Sequence, residues 1–311
     1  MNNSDKRFSV IIPLYNKEAE IERTIRSALA QSYAPLEIVV VDDGSTDRSA
    51  AIVEGIGSPL IRLIRQTNAG GTVTRNRAMS EALGDYFAFL DADDEWREGF
   101  LAEIAGMIDE FPECGLYCTG FDIIDAHGEH PAHTPKVRGV VDNFFREAMT
   151  SYVGITSSSV VPRTVVDAVG GFPEGMKIGG DQYMWAKIAR EYPVCFSPAR
   201  LMKYYKEASN RTTAIYRTVE VTPYSFAGLY DPANPWLNEY IARVALGKAI
   251  VLSVKGDSEA GRRAERFFAY NRGSRRAWWR LWVLNRLPAR LRPPLHTLYT
   301  RLAWRIAKKG L

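Results

Sequence analysis

Long apolar runs are missing from this chain: nowhere in its 311 residues is there a stretch near the roughly 20 apolar positions that a membrane-spanning helix needs. Cysteine is scarce. Cys114, Cys118 and Cys195 cannot pair evenly and are not spaced as a metal-ligand set, which points to a reducing compartment. Met1 to Phe8 has no basic-then-apolar leader pattern, so a cytoplasmic location is the expectation. Histidine is rare as well, yet His127, His130 and His133 bunch together in "HGEHPAH". Their spacing invites a zinc reading, but Gly and Pro around them favour an exposed loop between strands, with acceptor contact a secondary idea. Internal repeats and low-complexity tracts are absent too, which argues against a solenoid or a disordered chain. What remains, 46% apolar and 24% charged, is ordinary globular composition, enough for one large or two modest domains.

Acidic residues almost vanish at the C-terminal end. From Arg262 to Leu311, fourteen Lys and Arg face one acid, Glu265, a net charge of +13. The whole chain carries +4, so residues 1–261 hold about −9. Within the tail, Trp278, Trp279, Leu281, Trp282, Leu284 and Leu287 alternate with arginines. Cations beside aromatic and aliphatic groups suit a helix lying in an anionic lipid interface, and residues 275–309 are the expected contact. The competing reading is a helical subdomain whose tryptophans pack on the acidic body or across a dimer. Charge alone would also allow nucleic acid, but no motif that reads it is present, and no nucleic-acid partner is expected.

Strand and helix patterns alternate through the first hundred residues. "FSVII", "LEIVVV", "LIRLIRQ" and "YFAFL" are short apolar runs, and the segments between them have helical spacing. "TVTRNRAMSEALG" is expected to end on Gly84 as its cap. Continuous apolar strands joined by helices predict an α/β fold: a Rossmann-like, mostly parallel sheet with helices on both faces. Ligands in such sheets bind beyond the carboxyl ends of the strands. Four polar clusters follow the strands: Pro13 to Asn16, Asp42 to Ser45, Asn68 to Gly71, and Asp91 to Asp94. All four are expected along one rim. Further on, "GLYCTGFDIIDAHGE" predicts a hairpin, "SSSVVPRTVVDAVGGF" a strand and helix, and "GGDQYMWAKIAREYP" a helix with Asp181 near its start. Beyond about Asn234 the chain reads helical. The expected division is a first domain over residues 1–215 and a helical C-terminal region over 216–311, whose basic tail begins near 262.

"FLDADDEW" poses a charge problem. Asp91, Asp93, Asp94 and Glu95 crowd one turn, and their repulsion needs a cation or hydrogen-bond donors to absorb it. One simple answer is that Asp93, Asp94 and Glu95 meet the N-terminal dipole of the next helix.

Taken in order, "SVIIPLYNKE", "LEIVVVDDGSTD", "NAGGTVTRNRAM", "GDYFAFLDADD" and "GGDQYMW" resemble the family 2 glycosyltransferases of the GT-A fold, over roughly residues 8–210. The resemblance implies an inverting enzyme that uses a nucleotide sugar, a UDP-sugar as the expected donor. It implies a divalent metal, Mn²⁺ or Mg²⁺, held by Asp93 and Asp91, with Asp91 also near the donor ribose, while Asp94 keeps the helix-terminus reading given above. A hard cation on carboxylate oxygens would stabilise the departing diphosphate as a Lewis acid. Also by resemblance, Pro13, Tyr15 and Glu18 line the base and ribose pocket, with Tyr15 able to stack on the base. Asp43 accepts the uracil imide proton, and Arg75 reaches the base or diphosphate unless it is a solvent-facing cation. Asp181 matches the general base. The family usually has Glu-Asp there and this chain has Gly180-Asp181, so a plain helix N-cap stays open for Asp181.

The Gln-x-x-Arg-Trp signature of processive synthases is missing, which favours transfer of a single sugar. Resemblance and tail together imply a glycan or glycolipid acceptor in cell-envelope glycan biosynthesis, with the enzyme peripheral on the inner face of the cytoplasmic membrane. Two other classes compete: a non-catalytic sugar-nucleotide-binding protein, and a scaffold anchored to membrane or partner by its tail.

Overall fold

The computed structural model describes residues 6–176, 179–209, 226–269, 271 and 273–308. The chain divides into two compact units, Met1–Ala214 and Ile215–Leu311.

In the first unit, β1 (Phe8–Leu14), β2 (Glu37–Asp42), β3 (Ile61–Arg65) and β4 (Tyr86–Phe89) form a parallel block in the order β3-β2-β1-β4. Every residue of β2 is buried, as a strand covered on both faces requires. The crossovers are α1 (Ile21–Leu29), α2 (Ser49–Gly55) and α3 (Gly71–Glu81). On α1, Ile21, Thr24, Ile25 and Ala28 recur at helical spacing and are buried. α3 ends at Glu81 with Ala82, not Gly84, as its cap. Gly84 serves packing instead, because a Cβ there would lie 2.5 Å from the Arg7 carbonyl oxygen.

Beyond β4 the sheet turns mixed. β5 (Glu95–Trp96) and α4 (Phe100–Glu110) precede the hairpin of β6 (Leu116–Asp125) and β7 (Gly128–Pro131). β8 (Gly139–Val140), α5 (Phe144–Glu147), β9 (Ser159–Pro162), α6 (Arg163–Val169), α7 (Gly180–Glu191) and β10 (Val194–Tyr205) complete it. The full order is β3-β2-β1-β4-β9-β6-β10-β5, and β9 runs antiparallel to both β4 and β6. β10 has no counterpart in the sequence expectations. Pro198 interrupts its pattern, and a register shift between Ser197 and Arg200 absorbs the break.

An aromatic cluster fixes α7 against the end of β4. Phe89, Phe172 and Trp185 meet with ring centroids 5.3, 5.8 and 5.9 Å apart, and Trp185 is fully buried. Aromatic contacts of this kind add about 0.5–1.5 kcal/mol each beyond the buried area. Phe89 lies two residues before Asp91 and Trp185 four after Asp181. The cluster therefore ties the helix that bears Asp181 to the strand that leads to Asp91.

In the second unit, α8 (Pro235–Val254), α9 (Ser258–Phe267), α10 (Arg275–Arg286) and α11 (Arg292–Lys308) form the helical set. The Asn234 side chain accepts from the Leu237 amide, 3.0 Å, and Pro235 opens α8, both good helix-start chemistry. Part of the basic tail packs inward: Leu281 and Leu284 are buried, and Asn285 bridges Ser253 (2.8 Å) and Glu265 (2.8 Å). No helix among the described residues is long and apolar enough to cross a membrane.

Candidate active site

The parallel block brings the polar clusters together at the carboxyl ends of its strands. Asn16 takes a left-handed conformation (φ 49°) as the chain leaves β1. Its amide donates to Ser45 Oγ (3.0 Å) and its side-chain oxygen accepts from the Thr46 amide (2.8 Å), joining the first cluster to the second. Asp43, 3% exposed, joins the second to the third. Its carboxylate accepts from Gln66 Nε2 (2.7 Å) and from the amides of Ala69 (2.8 Å) and Gly70 (2.9 Å). The side chain expected at the nucleobase is thus also the brace of the loop before α3.

Arg75, on the first turns of α3, donates to the Asp91 carboxylate. Burial works to lower its pKa, but the charge and hydrogen bond of Asp91 outweigh that, with Asp181 and Asp93 adding to the same field. The pKa stays above the ordinary arginine value. One guanidinium therefore sits within the field of all three carboxylates expected to carry the chemistry, and it is no solvent-facing cation. Asp93 has its own cation: Lys17 Nζ lies 2.8 Å from Asp93 Oδ2.

Protein donors hold the turn around these groups. From α1, Thr24 Oγ1 donates to the carbonyls of Ala92 (3.0 Å) and Asp94 (2.7 Å), and Arg23 donates to that of Asp93 (2.9 Å). Ser157 Oγ accepts from the Asp91 amide (3.0 Å) and donates to Asp94 Oδ2 (2.6 Å). Asp94 and Glu95 do not face the N-terminus of α4, which corrects that expectation. Asp94 is buried against Ser157 and the Tyr205 amide, 3.2 Å. Its burial, together with the charges of Asp93 and Asp91, pushes its pKa well above the usual carboxylate range and favours the protonated acid. Glu95 binds Lys203 (2.9 Å) and the Tyr205 hydroxyl (2.7 Å). Burial works against its ionised form, but those partners hold its pKa below the ordinary value.

Other expected residues are placed less centrally. Tyr15 is 39% exposed, one position past β1, and Pro13 lies near the end of that strand. The Glu18 carboxylate is engaged by Arg48, through its amide (3.0 Å) and Nε (3.3 Å). The histidine segment is exposed for the most part, but its middle, Gly128–Pro131, is strand β7 rather than loop, and His130 lies 3.6 Å from Asp125. No group of three or more His, Cys, Asp or Glu among the described residues could hold a metal alone. Asp91 and Asp93 supply only two carboxylates, each paired with a protein cation, so a hard cation held there would have to complete its shell with water and phosphate oxygens.

Asp181 lies in the first turn of α7, half-buried. The N-cap is Gly179, in the left-handed region (φ 77°), so Asp181 is not the cap. Gly180 explains the departure from Glu-Asp, because a Cβ there would lie 2.5 Å from Thr72 Cγ2. Close approach of α7 to α3 excludes a side chain at that position.

Residues 9–169, just over half of the chain, match the family described as Glycosyl transferase family 2. This chain belongs to that family. Asp181 lies 12 positions beyond the matched stretch. The chain is 45% identical over 97 residues to an uncharacterised glycosyltransferase of Escherichia coli, covering 30% of this chain but 28% of that protein. It is 29% identical over 266 residues to an uncharacterised glycosyltransferase of a Nostoc species, covering 79% of each. Among solved structures, Staphylococcus aureus TarS in complex with UDP-GlcNAc superposes with a TM-score of 0.62 at 22% identity, over 88% of this chain and 79% of that one. A mannosyltransferase from Pyrobaculum calidifontis, in complex with GDP-Man and Mn²⁺, gives a TM-score of 0.54 at 19% identity, over 89% and 85%. These likenesses identify the family 2 glycosyltransferase's fold as GT-A.

Overpacking of this kind costs about 1–3 kcal/mol, so Gly180→Ala is expected to lower the melting temperature of the glycosyltransferase by several degrees. Thr72→Ala, which removes the opposing Cγ2, is expected to restore most of the loss in the double variant. A Gly180→Ala protein as stable as the parent would show that packing does not dictate the glycine.

Proposed function

We propose that the chain is a metal-assisted, inverting glycosyltransferase that moves a single sugar from a UDP-sugar to a hydroxyl of a glycan or glycolipid acceptor, with residues 1–215 as the catalytic domain. The observation that carries this reading is Arg75, within the field of Asp91, Asp93 and Asp181 at the carboxyl ends of a parallel block. An acid for metal, an acid for ribose, an acid for the acceptor proton and a cation for the nucleotide are the groups this reaction needs.

In the proposed reaction the acceptor oxygen attacks the anomeric carbon in line, the bond to the diphosphate breaks, and Asp181 takes the acceptor's proton. The nucleoside diphosphate leaves with the bonding electrons. Mn²⁺ or Mg²⁺ held by Asp93, with Asp91, supplies charge neutralisation on the diphosphate when bound. Arg75 orients Asp91 and presents positive charge toward the diphosphate. Tyr15 offers an exposed ring for the base. Asp43 uses one carboxylate oxygen twice and the other once on the described loop, leaving acceptor capacity for an imide proton. Glu18 and Pro13 flank that pocket, and Glu18 would reach a ribose only by loosening its hold on Arg48.

The acceptor reading rests on the tail. Trp279 (52% exposed) and Val283 (47%) stand one turn apart on α10, and Leu295, Leu298 and Tyr299 are exposed on α11. Arg275, Arg276 and Arg290 are exposed on and beside α10. Apolar groups beside cations fit an anionic lipid surface, at about 1 kcal/mol per basic side chain. These features support our reading that the enzyme works on the inner face of the cytoplasmic membrane, in envelope glycan assembly.

Asp181→Asn is expected to cut sugar transfer by on the order of 10²–10⁴-fold while UDP binding with Mn²⁺ persists, as loss of a general base does. Undiminished turnover would remove Asp181 from the mechanism. For the surface, full-length protein should pellet with phosphatidylglycerol-containing vesicles, and the Trp279→Ser, Leu298→Ser double variant should pellet markedly less. Equal pelleting of both, or none by the parent, would contradict the lipid reading.

A further inference from the structure

The salt bridge between Lys17 and Asp93 puts an ammonium on the carboxylate that the proposed reaction assigns to a metal. The pair is largely enclosed: the Lys17 side chain is 11% exposed and that of Asp93 18%. Lys17 also donates to the carbonyl of Ser209. Ser209 is gripped from the same helix entrance by Glu20, which accepts from its amide (2.8 Å) and its hydroxyl (2.9 Å). An ammonium is a compact point charge on a flexible stem, the side-chain group nearest to a small cation in form. Asp93 stands close to the carboxylate of Asp91, and the ammonium of Lys17 offsets that repulsion.

We propose that Lys17 is the resident counter-cation of Asp93, given up when a divalent cation binds and then turned to the diphosphate of the arriving donor. Three features make the exchange accessible. Lys17 and the cation cannot share the same Asp93 oxygen, because like charges at contact distance repel. The ammonium keeps the Ser209 carbonyl after losing Asp93, so it is never stripped of every partner in a buried position. Its stem starts one residue from Asn16, which binds the second strand-end cluster, so the freed charge stays on the rim where phosphate oxygens are proposed to lie. The protein's own cation thus suppresses metal binding to the donor-free enzyme, and metal and nucleotide load together. This inference rests on the proposed reading of the rim.

The test uses full-length protein and Mn²⁺ alone, with free Mn²⁺ followed by electron paramagnetic resonance. A half-exposed ion pair is worth up to about five-fold in an equilibrium, and this one is better enclosed, so Lys17→Met is expected to bind Mn²⁺ at least about five-fold more tightly than the parent without nucleotide. Lys17→Arg, which retains the charge, should stay close to the parent, and adding Asp93→Asn to Lys17→Met should abolish the gain. UDP binding in the presence of Mn²⁺ should weaken in Lys17→Met. Mn²⁺ affinity that is unchanged or lower in Lys17→Met overturns the inference, as does a gain that survives Asp93→Asn. A parent protein that binds UDP with Mn²⁺ while Lys17→Met shows no gain sinks the role of Lys17 alone. A parent that fails to bind UDP with Mn²⁺ sinks the reading of the rim itself. Should Lys17→Met not fold, Lys17→Gln in the same titration keeps the comparison, because it retains a donor for the Ser209 carbonyl.

Discussion

Like charges packed at the end of one strand are the constraint on which this site depends. Four acidic side chains within five residues of β4 and β5 can coexist only if each is neutralised differently, and the structure does that. Asp91 has Arg75, Asp93 has Lys17, Asp94 is favoured as the neutral acid, and Glu95 has Lys203. Each solution recruits another element to the turn: α3, the entrance of α1, the Ser157 segment and β10. Charge compensation therefore doubles as assembly, because the groups that quiet the carboxylates also fix the walls of the rim.

Apolar packing supplies the second half of the geometry. Phe89, Phe172 and Trp185 tie α7 to the strand that delivers Asp91, and the bare Cα of Gly180 lets α7 come close to Thr72. A carboxylate on α7 is thereby brought into the field of a guanidinium on α3, although more than a hundred residues separate them in sequence. Helices, rather than loops, carry both Arg75 and Asp181.

Much of this was legible in the residues because it is local. Apolar β-branched runs followed by Asp, Asn and Gly gave both the parallel strands and the rim at their ends, and the five ordered motifs pointed to the family. What escaped was decided by contacts between distant segments. Lys17 stood inside a quoted motif with nothing to mark it, since its partner lies 76 residues away. Ser157 looked like one of three serines in a row, and its bridge between Asp91 and Asp94 exists only once β9 lies beside β4. Pro198 hid β10, because a bulge can absorb a proline that a local pattern rejects. Asp94 and Glu95 were expected at a helix terminus for want of their true partners on β10.

The central claim is that this rim transfers a sugar from a nucleotide with help from a divalent cation. The most direct measurement is nucleotide release from a panel of UDP- and GDP-sugars by the full-length protein, each with Mn²⁺, with Mg²⁺ and with EDTA. The account predicts release from at least one UDP-sugar that depends on the metal and is lost in EDTA. No release from any donor, or release indifferent to EDTA, would contradict it.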